Sequence, residues 1–389
     1  MELLRAATLG PVAATAAWGR WIATHDVDDA SDRSVGLLAA VGANVPVEAL
    51  GDEAGRLSGL RRRSWTDTQV RLAAAAGALD VLGDQGIAPI VTGGAALVTA
   101  TAAAPGTRPL GAIDLVLGDA PNDTPIDERA PGGTPDPPSI SARAVPVSGT
   151  DDALIVALAA LGSAGWSRVR PVDSPFDHIV DVVDPAGRRI RLHRWVLFPR
   201  LAAVPERAWA QRAVQHDVAG RTVRRFRLAD ELVFTVLSGL LDPPVAMLRW
   251  PLAVIDLVHA GVGEVGADVF WREVVESAAD LGAGPLLSDA FALCRVDLDA
   301  PIPAQVVEEL SASRCDPELR RSWALRRRGV TPERRVLRYR RVSGESGVAA
   351  TPWGYVRART TAARTTGPSA AIRRRVERAT SFALHLQRD

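Results

Sequence analysis

The sequence contains no lysine, so all 46 of its basic residues are arginines. No lysine can form a Schiff base, act as a general base or clamp a phosphate, and any cationic clamp must be an arginine fork. Cysteine is almost as scarce. Cys294 and Cys315 are too few and too isolated for a disulfide framework or a zinc site, and they fall in stretches that read as helix and helix end. A reducing compartment is expected from that usage. No apolar stretch is long enough to span a bilayer, and no basic start leads into an apolar run with a cleavage site. A soluble, cytoplasmic protein with no membrane partner is the expectation.

What is present is enough to bury a large core. With 389 residues and 47% hydrophobic content, disorder throughout is excluded and two or three domains are accommodated. Charge is balanced overall and uneven along the chain. Residues 314–389 hold 19 Arg against 6 acidic residues, so the net +1 is the sum of about +13 there and about −12 in residues 1–313.

Residues 1–65 read as a helical lead-in, with helical patterns over 3–21 and 32–41 broken at Gly42 to Pro46. Thr66 or Asp67 is placed to cap a helix through Leu72, Ala75, Ala76, Leu79 and Leu82, which Gly86 would end before a strand over 87–91. A second apolar strand follows over 113–117. Residues 119–150 are rich in Pro, Gly, Asp, Ser and Thr and read as a surface insertion, with 144–147 a candidate to rejoin the sheet edge. A helix is predicted over 151–164, and residues 178–193 alternate on both sides of Asp184 to Gly187 as a β-hairpin. From Leu228 the period turns helical, over 229–240, 247–259, 268–281 and 285–294. The tail closes with a candidate amphipathic helix over 369–386. The expected division is therefore 1–65, 66–227, 228–313 and 314–389.

The most informative stretch is Ile90-Val91-Thr92-Gly93-Gly94-Ala95-Ala96-Leu97, followed by Arg108-Pro109 and then Asp114 within an apolar strand. A strand that runs into a double glycine and a helix start presents backbone N–H groups and a helix dipole to an anion. This pattern resembles the uncharacterised nucleotidyltransferase family of the polymerase-beta-like superfamily. Ile190-Arg191-Leu192-His193-Arg194-Trp195 is similar to the later catalytic strand of that family. Leu248-Arg249-Trp250 with Asp256, Phe270-Trp271, Leu281-Gly282 and Pro301-Ile302-Pro303 fall in the family's order, so the resemblance covers roughly residues 70–310.

The resemblance implies an α+β fold: a nucleotidyltransferase-like mixed β-sheet with flanking helices, followed by an all-helical domain. It implies transfer of a nucleoside monophosphate from a nucleoside triphosphate to a small-molecule or protein acceptor, with Mg²⁺ held by three carboxylates. Two of those positions are replaced here, by Ala112 and Arg191, which leaves Asp114 as the catalytic and metal-binding candidate. Gly93, Gly94, Arg108, Arg191 and His193 are the nucleotide-binding candidates. Activity is expected to be weak or lost.

Each of these residues has a plainer reading. The two glycines suit any tight strand-to-helix turn. Asp114 could be a buried ion pair with Arg108 or Arg191. If the hairpin turn is the four residues 184–187, Asp181 faces away from Arg191 and offers no substitute carboxylate. Arg189, Arg191 and His193 would then share a face with His178, as a solvated stripe or, sharper, with Arg191 gripping a phosphate or carboxylate without metal. His193 could be no more than a hydrogen-bonding residue at a strand end. Asp230, Glu231, Arg249 and Asp256 read as residues that cap or cross-link helices. Two further functions stay open: a non-catalytic anion-binding or scaffold protein with a protein partner, and nucleic-acid binding through the basic tail. The second is not favoured, because the tail has apolar residues enough to pack on the acidic body.

Overall fold

The computed structural model describes residues 1–30, 32–101, 105–117, 148–169, 179–194, 196, 208–241 and 250–327. The architecture is α+β, with a mixed sheet of seven strands among the described residues. In chain order, helices α1 (Glu2–Thr8), α2 (Pro11–Ile22), α3 (Asp32–Asn44), α4 (Val47–Leu50) and α5 (Ala54–Gly83) lead into strand β1 (Ile90–Thr92) and helix α6 (Gly93–Ala100). Strand β2 (Ile113–Val116), helix α7 (Ser148–Ser163) and strands β3 (Ser167–Arg168), β4 (Ile179–Val183), β5 (Arg189–His193), β6 (Val214–Val218) and β7 (Arg221–Arg225) follow. Helices α8 (Leu228–Leu241), α9 (Trp250–Val265), α10 (Ala267–Asp280), α11 (Gly284–Leu298), α12 (Ala304–Ala312) and α13 (Pro317–Arg327) complete the described chain. Residues 118–147, which include most of the insertion expected over 119–150, Trp195, the segment 242–249 with Met247 and Arg249, His178 and the tail helix expected at 369–386 lie outside the described residues.

The sheet order is β3-β4-β5-β2-β1-β7-β6. β1 lies antiparallel to β2 and parallel to β7, and β2 lies parallel to β5. Alternation along the strands divides the side chains between two faces. Val91, Ile113, Leu115, Val180, Val182, Ile190 and Leu192 pack on Leu72, Ala75, Leu79 and Leu82 of α5 and on Leu154, Ala157 and Leu161 of α7. Ile90 and Val116 point the other way, into a second cluster with Phe226 and the apolar side chains of α8. The registers place Thr92, Asp114, Arg191 and Asp181 in one row across four adjacent strands. That polar row lies on the face of Ile90 and Val116.

Several elements depart from the sequence pattern. One helix was expected over 3–21, whereas Leu9 is extended and Gly10 and Pro11 restart the chain as α2. α5 is much longer than its cap signal suggests and begins at Ala54. β1 starts three residues late and ends at Thr92. The hairpin of β6 and β7 has no counterpart in the expectations. Its two-residue loop, Ala219-Gly220, holds both residues at positive φ, of 51° and 78°. Asn-Gly or Asp-Gly would have announced such a turn, and alanine does not.

The β4–β5 register corrects the expectation for Asp181. Five residues, not four, separate the strands, because Val183 pairs with Arg189. The buried Asp184 carboxylate accepts from the backbone N–H groups of Ala186 and Arg188, at 3.0 and 2.9 Å, and this holds the wider turn. Asp181 therefore stands directly opposite Arg191. A one-residue change in loop length flips the pairing of every side chain on the strand.

Candidate functional site

The glycine turn forms as its sequence suggests, and each glycine has its own reason. Gly93 opens α6 at φ +65°, and a Cβ there would stand 3.0 Å from Asp114 Oδ2. A Cβ at Gly94 would stand 2.9 Å from Leu110 Cδ1. The turn and the Asp114 carboxylate are thus in contact, because Thr92 and Asp114 are direct partners in the β1–β2 ladder.

Asp114 is buried, at 8% exposure. His193 Nε2 lies 2.7 Å from its Oδ1 and donates to it, while Arg191 Nε lies 3.4 Å from the same oxygen. Burial acts to raise the Asp114 pKa. The charge of Arg191 and the hydrogen bond and charge of His193 outweigh it and hold the carboxyl below its ordinary value. The His193 ring is itself buried and meets Phe234 of α8 edge-on, at 6.3 Å between centroids. Arg191 differs from the rest of the row. Its side chain is 37% exposed, so a guanidinium with five N–H donors reaches the protein surface beside a buried carboxylate.

Arg108 does not join this group. Its Nε donates to Asp256 Oδ2 at 2.6 Å, an ion pair that ties the segment before β2 to α9. Of the two partners foreseen for Asp114, the structure supplies Arg191. Asp181 lies on the far side of Arg191, two strand spacings or about 10 Å from Asp114.

Glu231, expected to cap or cross-link helices, does so at the glycine turn itself. From the first turn of α8 it reaches the glycine turn, where Oε1 accepts the Gly93 N–H at 2.7 Å and Oε2 the Thr92 hydroxyl at 2.8 Å. Thr92, the N-cap of α6, makes no side-chain cap of its own. Glu231 therefore caps α6 from another helix. Burial, the largest cause, and the nearby charge of Asp114 push its pKa up to about 8, against the two hydrogen bonds and the charge of Arg225. The adjacent Asp230 is fully buried and serves a different junction, where Arg212 grips both its oxygens and Ser277 donates at 2.6 Å. The signal for this was in the helix itself. α8 is buried almost all round, so two consecutive acids near its start cannot both reach solvent.

Mg²⁺ takes oxygen ligands in near-octahedral order. Among the described residues no group of three His, Cys, Asp or Glu side chains is arranged to hold a metal ion. The groups that touch Asp114 are an imidazole N–H and a guanidinium, which take up the negative charge that a cation would need. Among the described residues, no helix is long and apolar enough to cross a membrane. Comparison with family models, with curated proteins and with solved structures finds no match.

Proposed function

We propose that this chain is a nucleotidyltransferase-like protein whose ancestral reaction, transfer of a nucleoside monophosphate to a small-molecule or protein acceptor, is weak or lost. In this reading its site binds an anionic small molecule without Mg²⁺. The observation that carries the reading is Arg191. It stands where the family resemblance expects a metal-binding carboxylate, it pairs with Asp114, and more than a third of its side chain is exposed. A fixed guanidinium in that place supplies the positive charge that a metal would otherwise bring to a phosphate or carboxylate. The strand-turn-helix around Gly93-Gly94 and the parallel pairing of β2 with β5 support the resemblance on the fold side.

The experiment is calorimetric titration of the full chain with ATP, CTP, GTP and UTP, with and without Mg²⁺, for the parent and for Arg191→Ala. Binding that is indifferent to Mg²⁺ and falls at least about tenfold in Arg191→Ala is expected. Release of pyrophosphate that requires Mg²⁺ and disappears in Asp114→Ala would show an active transferase instead. A protein or nucleic-acid partner would be indicated by no nucleotide binding at all, with salt-sensitive binding to RNA or DNA marking the basic tail as the interface.

A further inference from the structure

The anion-binding position of the glycine turn is already filled from within. Glu231 offers two carboxylate oxygens to two neighbouring donors, the Gly93 N–H and the Thr92 hydroxyl, and it is only 1% exposed. We propose that Glu231 is the specificity-determining residue of this site: a built-in carboxyl group that occupies the donors of the Gly93-Gly94 turn, excludes a ligand's phosphate from it and confines an external anion to the Arg191 edge. The second half of this statement rests on the reading of Arg191 given above; the first half does not.

The exclusion has two physical causes. A phosphate oxygen at the turn would need the same N–H that Glu231 Oε1 holds at 2.7 Å, so the two occupants compete for one donor. It would also meet the ionised Asp114 carboxylate, whose Oδ2 lies beside Gly93. Expelling Glu231 would strand a buried carboxyl without its partners, which costs more than an exposed contact returns. A polyphosphate laid along the turn is therefore disfavoured. The ligand class that fits is a small anion presenting one carboxylate or phosphate group to Arg191, with the rest of the molecule outside the turn.

Removing the occupant should convert the turn into a site. Glu231→Ala leaves the Gly93 N–H and the Thr92 hydroxyl buried without an acceptor at a helix start, a strong demand for an anion. The probes are inorganic pyrophosphate, followed by calorimetry, and acetate, followed by melting temperature. Glu231→Ala is expected to bind pyrophosphate at least about tenfold more tightly than the parent. Acetate should raise the melting temperature of Glu231→Ala and leave that of the parent unchanged. Both measurements are repeated in an Arg191→Ala background, where the gain from Glu231→Ala should persist; its persistence separates this inference from the fate of the Arg191 reading. A cooperatively melting Glu231→Ala that neither gains pyrophosphate affinity nor responds to acetate overturns the inference. If Glu231→Ala does not fold, Glu231→Ser decides: its side chain is too short to reach the Gly93 N–H, so tighter pyrophosphate binding supports the inference and unchanged affinity overturns it.

Discussion

Asp114 and Glu231 both approach Gly93, and the protein treats these two buried carboxyls in opposite ways. Asp114 has a guanidinium and an imidazole N–H, and stays ionised. Glu231 has a backbone N–H and a hydroxyl, no cation in contact among the described residues, and Asp114 nearby, so burial prevails and its pKa rises to about 8 from 4.5. The Thr92 hydroxyl suits either state, since it donates to a carboxylate and accepts from a carboxylic acid. For Glu231 the folded state holds its proton more tightly than the unfolded chain. Its contribution is present in full below pH 4.5 and is lost progressively as the pH rises to about 8. Glu231→Gln should therefore flatten the fall in stability from about pH 5 to about pH 8, by on the order of 3 kcal/mol. Urea unfolding across that range measures it, and parallel curves for parent and variant would sink the assignment. Asp114 was legible in the sequence as a carboxylate in an apolar strand. Glu231 was not, because the pattern of α8 shows two acids in its first turn and says nothing of the distant turn that one of them caps.

At the scale of elements, the strand-turn-helix of β1 and α6 depends on two glycines for unequal reasons. Gly93 needs both a positive φ and room beside Asp114, whereas Gly94 faces only the end of the Leu110 side chain, which can move. Gly93→Ala should cost about 2 kcal/mol or more, from the left-handed conformation and the displaced carboxylate together. Gly94→Ala should cost about 1 kcal/mol less, because its contact relaxes by a side-chain shift. Thermal melts of the two variants give the ranking, and equal costs would remove the special role assigned to Gly93. The β4–β5 hairpin shows how a small local matter decides a site. Asp184 holds a five-residue turn through the N–H groups of Ala186 and Arg188, and that single added residue brings Asp181 opposite Arg191. Sequence alternation located both strands of this hairpin correctly. It could not fix their register, because loops of four and of five residues suit the same glycine-containing stretch.

On the scale of the whole molecule, the N-terminal helices and the C-terminal helices share one core. Leu3, Leu4, Trp18 and Leu38 belong to the same buried cluster as Leu237, Leu257, Phe291 and Leu310. Arg5 pairs with Asp297 across that boundary at 2.7 Å. The long α5 belongs to both cores, through Leu57 to this cluster and through Leu72 and Leu79 to the one beneath the sheet. Deletion of residues 1–50 should therefore expose apolar faces of α9 and α11 and abolish cooperative unfolding of the helical part, rather than trim an independent lead-in. Circular dichroism melts of the truncated chain test this, and an unchanged, sharp transition would refute it. The start of the basic tail is anchored as well. Leu319 is buried in the same cluster, and the Asp316 N–H donates to the Gly282 carbonyl at 2.8 Å. Periodicity and turn chemistry sufficed for the glycine turn, the strand of Asp114 and most of the helices, because those signals act over a few residues at a time, while the expected α+β class came with the family resemblance. Tertiary structure alone decided that Arg108 serves Asp256, that His193 and Arg191 hold Asp114, and that Glu231 fills the turn. Those pairings join residues dozens to more than a hundred positions apart, and which buried charge meets which partner is fixed by packing, not by any local pattern.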